Sequence, residues 1–507
     1  MKRRDFLVAA AAAASGCVRA TQHKDAAEGA RRKPAAQPNI VFILADDLGY
    51  NELGCYGQRK IRTPNLDRLA AEGMRFTDHY SGSPVCAPSR CTLMTGYHTG
   101  HAYVRGNLGR PRIGQLPIPG ETVTLAELLK KEGYRTAAAG KWGLGGPGTT
   151  GHPNQQGFDH WFGYLDQWNA HSHYPDYMWR NTKKIILEKN VGGKQVRYSH
   201  DLFTEEALTF LRASAKRGPF FLYVPYAVPH VSLHVPADSL AEYEGKWPET
   251  PYKGGHYSGH PTPRAAYAAM ITRMDRDVGR IVALVKELGV ERDTLVVFTS
   301  DNGPTYAGGA DSAFFESAGP LRGLKGSVYE GGIRVPMIAR WTGRIEPGST
   351  SRLPCAFWDW LPTFMDLAGA ADRTPKGIDG VSIAPTLLGR SGQKRREYLY
   401  WEHHPGRGMQ AVRMGSWKGV RLNARAGAGA PIQLYNLDSD VGEQKDVAAE
   451  HPDLVKKIAA VMDGGRTESP YYTFGAPSKA RDEWFAKAKV ESARMLQPEW
   501  LREGVEP

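Results

Sequence analysis

Cys86 opens the run Cys86, Ala87, Pro88, Ser89, Arg90, and a helix-like segment, Cys91 to Thr95, follows at once. That spacing predicts Cys86 at a helix N-terminus, where backbone N–H groups favour an anion. Asp46 and Asp47 stand side by side behind the apolar run Ile40 to Ala45, and Asp301 and Asn302 stand behind Thr294 to Thr299. Adjacent buried carboxylates repel unless a cation sits between them. Four oxygen donors without sulfur or imidazole suit Ca²⁺, with Mg²⁺ second. The competing use of each Asp is to cap a helix or turn. Lys141, in Gly140-Lys141-Trp142, and Lys325, in Gly323-Leu324-Lys325-Gly326, are anion clamps beside glycines that allow close backbone approach, or else solvated charges. His230, after Pro229, is a proton carrier placed at a strand end, or else a structural loop histidine.

These groups need elements to hold them. Ile40 to Ala45 is apolar at every position and reads as a fully buried strand. Helices are predicted at 65–73, 124–131 and 265–288, and strands at 135–139, 219–224 and 294–299. Buried strands alternating with helices imply an α/β fold with a large, mainly parallel sheet covered on both sides. Such sheets bind ligands at the carboxyl ends of their strands, where Asp46, Asp47, Asp301, Asn302 and the Ala139-Gly140-Lys141 corner fall. Past a polar connector at 387–396, short alternating runs at 398–401, 409–414, 417–422 and 433–437 predict an antiparallel sheet, followed by a helix at 452–462. The chain thus divides into a leader (1–36), a catalytic domain (37–390) and a small C-terminal α+β domain (395–507).

The pattern C-x-P-S-R, continued as Cys91-Thr92-Leu93-Met94-Thr95-Gly96, resembles the signature of the type I sulfatases. Asp46-Asp47, Gly140-Lys141-Trp142, Pro229-His230, Asp301-Asn302-Gly303, Gly323-Leu324-Lys325, Gly331-Gly332-Ile333-Arg334 and the stretch 434–443 follow in the order of that family, across nearly all of residues 38 to 465. The resemblance implies the sulfatase branch of the alkaline phosphatase superfamily. It further implies that a maturation enzyme oxidises Cys86 to formylglycine beside a Ca²⁺ held by Asp46, Asp47, Asp301 and Asn302. A serine attacking sulfur would be left as a stable ester, whereas an aldehyde hydrate has a second hydroxyl with which to expel sulfate. By the same resemblance Arg90 stabilises the hydrate, Lys141 and Lys325 neutralise sulfate oxygens, and His230 assists the leaving alcohol. One departure stands out: the family's G-K-W-H ends here in Gly143. His101, His171 and His173 are candidates to fill that gap, and His403 and His404 to contact sugar. Tyr164, Trp168, Tyr174, Tyr177 and Trp179 are candidates for a stacking wall, with a core role as the alternative.

Composition narrows the partners. Lys2, Arg3 and Arg4 precede the apolar run Phe6 to Ala14, the layout of an export signal, and Arg3-Arg4-Asp5-Phe6-Leu7 resembles a bacterial twin-arginine signal. The run is too short to span a membrane. Soluble release into the periplasm is favoured over a lipid anchor at Cys17, because the residue three before it is Ala. The formal charge is +12, of which the first 33 residues, with eight Lys/Arg and three Asp/Glu, supply +5. With no nucleic-acid motif, that surplus points to a polyanionic glycan or to solubility. Five cysteines permit one disulfide and exclude a disulfide framework, and no Cys/His cluster suggests zinc. The function expected is an exported hydrolase of sulfate esters, on a sulfated saccharide. The alternatives are a phosphonate or phosphodiester hydrolase of the same superfamily and a glycan-binding protein that has lost its chemistry.

Overall fold

The computed structural model describes residues 37–476 and 478–503; the expected export signal and Cys17 lie outside them. Ten strands form the main sheet: β1 (Asn39–Asp46), β2 (Met74–Phe76), β3 (Arg135–Lys141), β4 (His160–Tyr164), β5 (Tyr177–Arg180), β6 (Lys183–Ile186), β7 (Phe220–Pro229), β8 (Thr294–Ser300), β9 (Met337–Arg340) and β10 (Ser349–Ser351). Their order across the sheet is β10-β2-β9-β8-β1-β7-β3-β4-β5-β6. The central five, β8-β1-β7-β3-β4, are mutually parallel. The flanks turn antiparallel, except that the edge strand β10 runs parallel to β2.

The faces of β1 follow the period of two. Val41, Ile43 and Ala45 pack with α4 (Ser199–Ser214) and α5 (Pro263–Glu287), while Ile40, Phe42 and Leu44 pack with α2 (Cys86–Thr95), α3 (Leu125–Lys131) and α6 (Trp360–Leu367). A strand apolar on both faces must have helices on both. The remaining early helix, α1 (Pro64–Ala71), starts with Pro at its first position, where the missing N–H costs nothing. Thr124 and Glu127 close a capping box on α3.

A second sheet of four antiparallel strands, β11 (Leu399–His403), β12 (Met409–Met414), β13 (Trp417–Arg421) and β14 (Gln433–Asn436), carries α7 (Pro452–Gly464) on one face. Its other face places Trp401, Ala411, Val420 and Tyr435 against Tyr80, Val328, Ile333 and Trp358. The boundary near residue 390 therefore separates two sheets of one compact unit, residues 36–507. The C-terminal segment packs back on the main sheet. Trp500 belongs to the core of the main sheet, and the Ser492 hydroxyl donates to the Pro111 carbonyl at 2.9 Å.

Of the five aromatics considered for a sugar-stacking wall, Tyr164, Tyr174, Tyr177 and Trp179 are buried in the two cores, and only Trp168 is exposed. Tyr164 and Tyr177 sit on strands covered on both faces, which leaves their rings no solvent side, while Trp179 keeps only an edge on a surface cavity beside Thr149 and Thr150. Cys55, Cys86, Cys91 and Cys355 are all free thiols. No helix among the described residues is long and apolar enough to cross a membrane.

Candidate active site

Four neighbouring parallel strands end at one point. Asp46 closes β1, Lys141 closes β3, His230 follows β7 and Asp301 follows β8. Both β3 and β7 run further than their sequence expectations, to Lys141 and to Pro229, because pairing continues to the carboxyl edge. Gly140 is required there: a Cβ at its φ of 146° would lie 1.9 Å from the Pro225 carbonyl oxygen of β7. Asp47 adopts a left-handed φ of 68°, which turns the backbone so that both adjacent carboxylates reach the same place.

The acids and bases interlock. Lys141 Nζ donates to Asp46 Oδ2 at 2.5 Å, Lys325 Nζ to Asp47 Oδ2 at 2.7 Å, and Arg90 Nη2 to Asp301 Oδ2 at 2.7 Å. Asn302 Nδ2 donates to Asp47 Oδ1 at 2.8 Å. Arg90 also donates to the Lys141 carbonyl and lies 3.4 Å from Asp46 Oδ2, so its guanidinium is committed to organising the acids. One carboxylate oxygen from each of Asp46, Asp47 and Asp301 lies within 4.8 Å of the others. Asp46 Oδ1 and Asn302 Oδ1 are buried without any hydrogen-bond partner. Burial, then the neighbouring Asp46 charge, pushes the Asp301 carboxyl up to about 7 despite Arg90. Burial also raises Asp47, whereas for Asp46 it is outweighed by Lys141, then His230 and Arg90, which hold that carboxyl below its ordinary value. Crowded acids with two unpartnered oxygens are a donor set that fits a hard divalent cation.

Cys86 is the first residue of α2, a helix buried along its whole length, whose N-cap residue Val85 contributes no side-chain cap. Sγ lies 3.9 Å from Gln167 Oε1 and 3.9 Å from Asn107 Nδ2. An oxygen of Asp46, Sγ of Cys86 and a ring nitrogen of His230 also fall within 4.8 Å of one another. Burial raises the thiol above its ordinary value, more than Lys141 and Lys325 lower it. A 2% exposed thiol held protonated is a poor nucleophile as it stands.

His230 Nδ1 sits 2.5 Å from the Val231 carbonyl oxygen and must donate to it, so the neutral ring turns the Nε2 lone pair toward Asp47 Oδ2, 3.7 Å away. Burial, then Lys325 and Lys141, keeps the imidazole well below its ordinary value. The neutral ring is therefore an acceptor here. His171 stacks on it at 5.3 Å and 9°, with His256 and Tyr257 edge-on to His171. His173 Nε2 donates to the His230 carbonyl at 2.9 Å and is fully buried. His101 is elsewhere, bound to Asp379 and stacked on His98. His404 bonds Glu402 Oε1 at 2.9 Å, and His403 is buried at the end of β11.

None of these histidines fills the space beside Gly143. Gln167 does: a Cβ on Gly143, whose φ is 100°, would lie 2.9 Å from Gln167 Nε2. Gln115 Nε2 donates to Gln167 Oε1 at 3.1 Å, and Gln167 Nε2 is buried without a partner. Gln115 and Asn107 carry no signal of a site role in the sequence. Only Gln167 leaves a trace, three residues past the end of β4, another parallel strand.

The glycines after Lys325 have a different purpose from ligand approach. A Cβ on Gly331 would lie 2.1 Å from the Gly323 carbonyl oxygen, so these turns pack on each other. Glu330 and Arg334, which flank them, bind the second sheet and Asp78.

The sulfatase family profile matches residues 38–370, and the profile for the N-sulphoglucosamine sulphohydrolase C-terminal region matches residues 324–464. Human arylsulfatase A is 33% identical over 504 residues, covering 89% of this chain and 92% of that protein. Mouse N-acetylgalactosamine-6-sulfatase is 34% identical over 397 residues, covering 75% of this chain and 71% of that protein. The crystal structure of Ps i-CgsB in complex with k-i-k-neocarrahexaose has a TM-score of 0.74 at 29% identity, covering 90% of this chain and 99% of that one. Strand-end acids, buried cysteine and paired lysines thus lie on the fold of known sulfuric ester hydrolases, and the chain belongs to the sulfatase family.

Proposed function

We propose that this sulfatase releases sulfate from a sulfated saccharide, using a formylglycine made from Cys86 and a Ca²⁺ held by Asp46, Asp47, Asp301 and Asn302. The observation that carries the reading is the convergence of three buried carboxylates and two unpartnered oxygens beside a protonated cysteine at a helix N-terminus. The formylglycine hydrate would supply the attacking and expelling hydroxyls, and the cation would polarise a sulfate oxygen. Lys141 and Lys325 sit on the adjacent acids Asp46 and Asp47, where they bind sulfate oxygens and offset developing charge. Arg90 positions the acids. His230 Nε2 takes and returns a proton near Asp47, while the Gln167 and Asn107 amides orient the group at position 86.

The names of relatives support a saccharide: one acts as an N-acetylgalactosamine-6-sulfatase, and one solved relative holds k-i-k-neocarrahexaose. Export to the periplasm by the twin-arginine-like start, with Cys17 as the alternative lipid anchor, accords with a partner enzyme that matures Cys86 before folding.

Peptide mass spectrometry across residues 77–90 of protein from the native host tests the nucleophile. An aldehyde at position 86 is expected; a plain thiol in fully active protein would sink the mechanism. Turnover of an aryl sulfate is expected to exceed that of an aryl phosphodiester, and the reverse ranking would favour the phosphodiester reading.

A further inference from the structure

A cavity of about 540 Å³ lies beside the catalytic centre, walled by Asn107, His404, Arg425, Tyr471, Tyr472 and Arg481. Asn107 joins the two: its Nδ2 reaches Cys86 Sγ, and its Oδ1 accepts from the Ala87 N–H at 3.2 Å. No lining residue is acidic. Arg425 is held by backbone carbonyls alone, donating to Gly406 at 2.9 Å, Gly475 at 3.3 Å and His404 at 3.2 Å. Arg481 lies over the Phe485 ring, 5.6 Å from its centroid. Neither guanidinium meets a carboxylate among the described residues. Arg105 and Arg466 nearby differ, since each reaches Glu402. The His404 ring is fixed by Glu402 and stacks on Phe474 at 4.5 Å.

Guanidinium forks match the oxygens of carboxylates and sulfates, and two of them facing one acid-free cavity leave positive charge uncompensated. Tyrosine walls suit a sugar ring. The volume falls within the range of small-molecule sites, roughly 300–1,000 Å³. We propose that this cavity is a subsite for a second anionic group, a sulfate ester or a uronate carboxylate, on the sugar next to the one that loses its sulfate. The inference rests on the saccharide reading above, and it assigns to Arg425 and Arg481 a preference for multiply charged glycans.

The test compares three substrates: an aryl sulfate, a sulfated disaccharide with a neutral neighbouring sugar, and the same disaccharide with a uronate or a second sulfate on that neighbour. Wild type is expected to show a KM about tenfold lower for the charged disaccharides than for the neutral one. Arg425→Ala and Arg481→Ala should each narrow that gap while leaving kcat and KM on the aryl sulfate unchanged, which also shows that the variants fold. Arg425→Lys should keep part of the preference, and added salt should shrink it. Comparing the uronate with the second sulfate tells which anion the subsite takes. Equal KM values for neutral and charged disaccharides in wild type, or a loss spread evenly over all three substrates in the variants, would overturn the subsite and leave the saccharide reading standing. Turnover of the aryl sulfate with neither disaccharide attacked would remove both.

Discussion

Two buried clusters in this protein each set three acids against three bases, and they do opposite things. In the catalytic cluster Asp46, Asp47 and Asp301 face Arg90, Lys141 and Lys325. In the cluster that docks the second sheet, Asp78, Glu330 and Glu443 face Arg334, Arg413 and Lys418. Formal charge is balanced in both, so balance alone does not mark a site. Arrangement does. In the docking cluster the bases lie between the acids: Lys418 Nζ is 2.8 Å from Glu330 Oε1 and 2.9 Å from Glu443 Oε1. In the catalytic cluster one oxygen of each carboxylate turns toward the others, Arg90 alone bridges two of the acids, and Asp46 Oδ1 and the neighbouring Asn302 Oδ1 remain unpartnered. The first arrangement holds each acid by ion pairing, Glu443 Oε1 through Lys418 alone, whereas the second leaves the oxygen donors that we propose hold a cation.

Removing the cation should therefore produce the largest effect. Dialysis against a chelator is expected to cut turnover by at least about 10²-fold, the scale of losing several kcal/mol of charge stabilisation. Ca²⁺ should restore it better than Mg²⁺. The melting temperature should fall with it, because a cation at a hundredfold excess over its Kd contributes about 2.7 kcal/mol to the folded state. Full activity in chelator-treated protein shown metal-free by elemental analysis would remove the distinction between the clusters.

Lys418→Met attacks the other cluster. It strands two buried carboxylates, and breaking a buried pair costs about 3–5 kcal/mol, so denaturant unfolding should show that loss while sulfate release per folded molecule stays near wild type. Acid sharpens the contrast. Burial works against ionisation of Glu330, yet Lys418, Arg334 and Arg413 outweigh it and bring its carboxyl down to about 2. A lowered carboxyl stabilises the fold fully above its unfolded value of 4.5, and that contribution is lost as pH falls toward about 2. Glu443, pushed up to about 7 by burial, acts in the opposite sense between 4.5 and 7, so the Glu330 effect is read below 4.5. The stability gap between wild type and Lys418→Met should close over that lower range. A gap unchanged at pH 3 would show that the pair does not carry the docking energy.

The sequence exposes one cluster better than the other for a physical reason. Asp46-Asp47 and Asp301-Asn302 each end an apolar run, and parallel strands deliver their carboxyl ends to one edge, so local pattern and topology agree. The docking cluster draws Asp78, Glu330, Lys418 and Glu443 from four separated segments, and nothing in its spacing predicts contact across 88 residues between Glu330 and Lys418. The glycines around Glu330 consequently look like a ligand loop. The aromatic run from Tyr164 to Trp179 misleads in a related way, because a strand covered on both faces and a strand lining a groove share a composition. The histidines show the same limit. His171 and His173 come to His230 through a loop fold that the sequence does not encode locally, while His101 and Asp379 find each other 278 residues apart.

Gln167 provides the finest comparison, since it is a neutral side chain at the edge of the catalytic cluster. Its Oε1 is held by Gln115 and faces Cys86, its Nε2 has no partner, and the bare Cα of Gly143 leaves it room. An amide can orient the group at position 86 but cannot carry a proton at neutral pH. Gln167→Ala should then lower kcat about tenfold, the equivalent of one net hydrogen bond near 1.4 kcal/mol, with KM for an aryl sulfate little changed and the shape of the pH–rate profile preserved. Gln167→Glu keeps the shape and adds a negative charge beside the buried acids, so it should lose more activity than Gln167→Ala. A profile that loses an ionisation in Gln167→Ala would mean that the side chain steers a titrating partner, and His230, a ring nitrogen of which shares the Cys86 surroundings, would be the group to examine next.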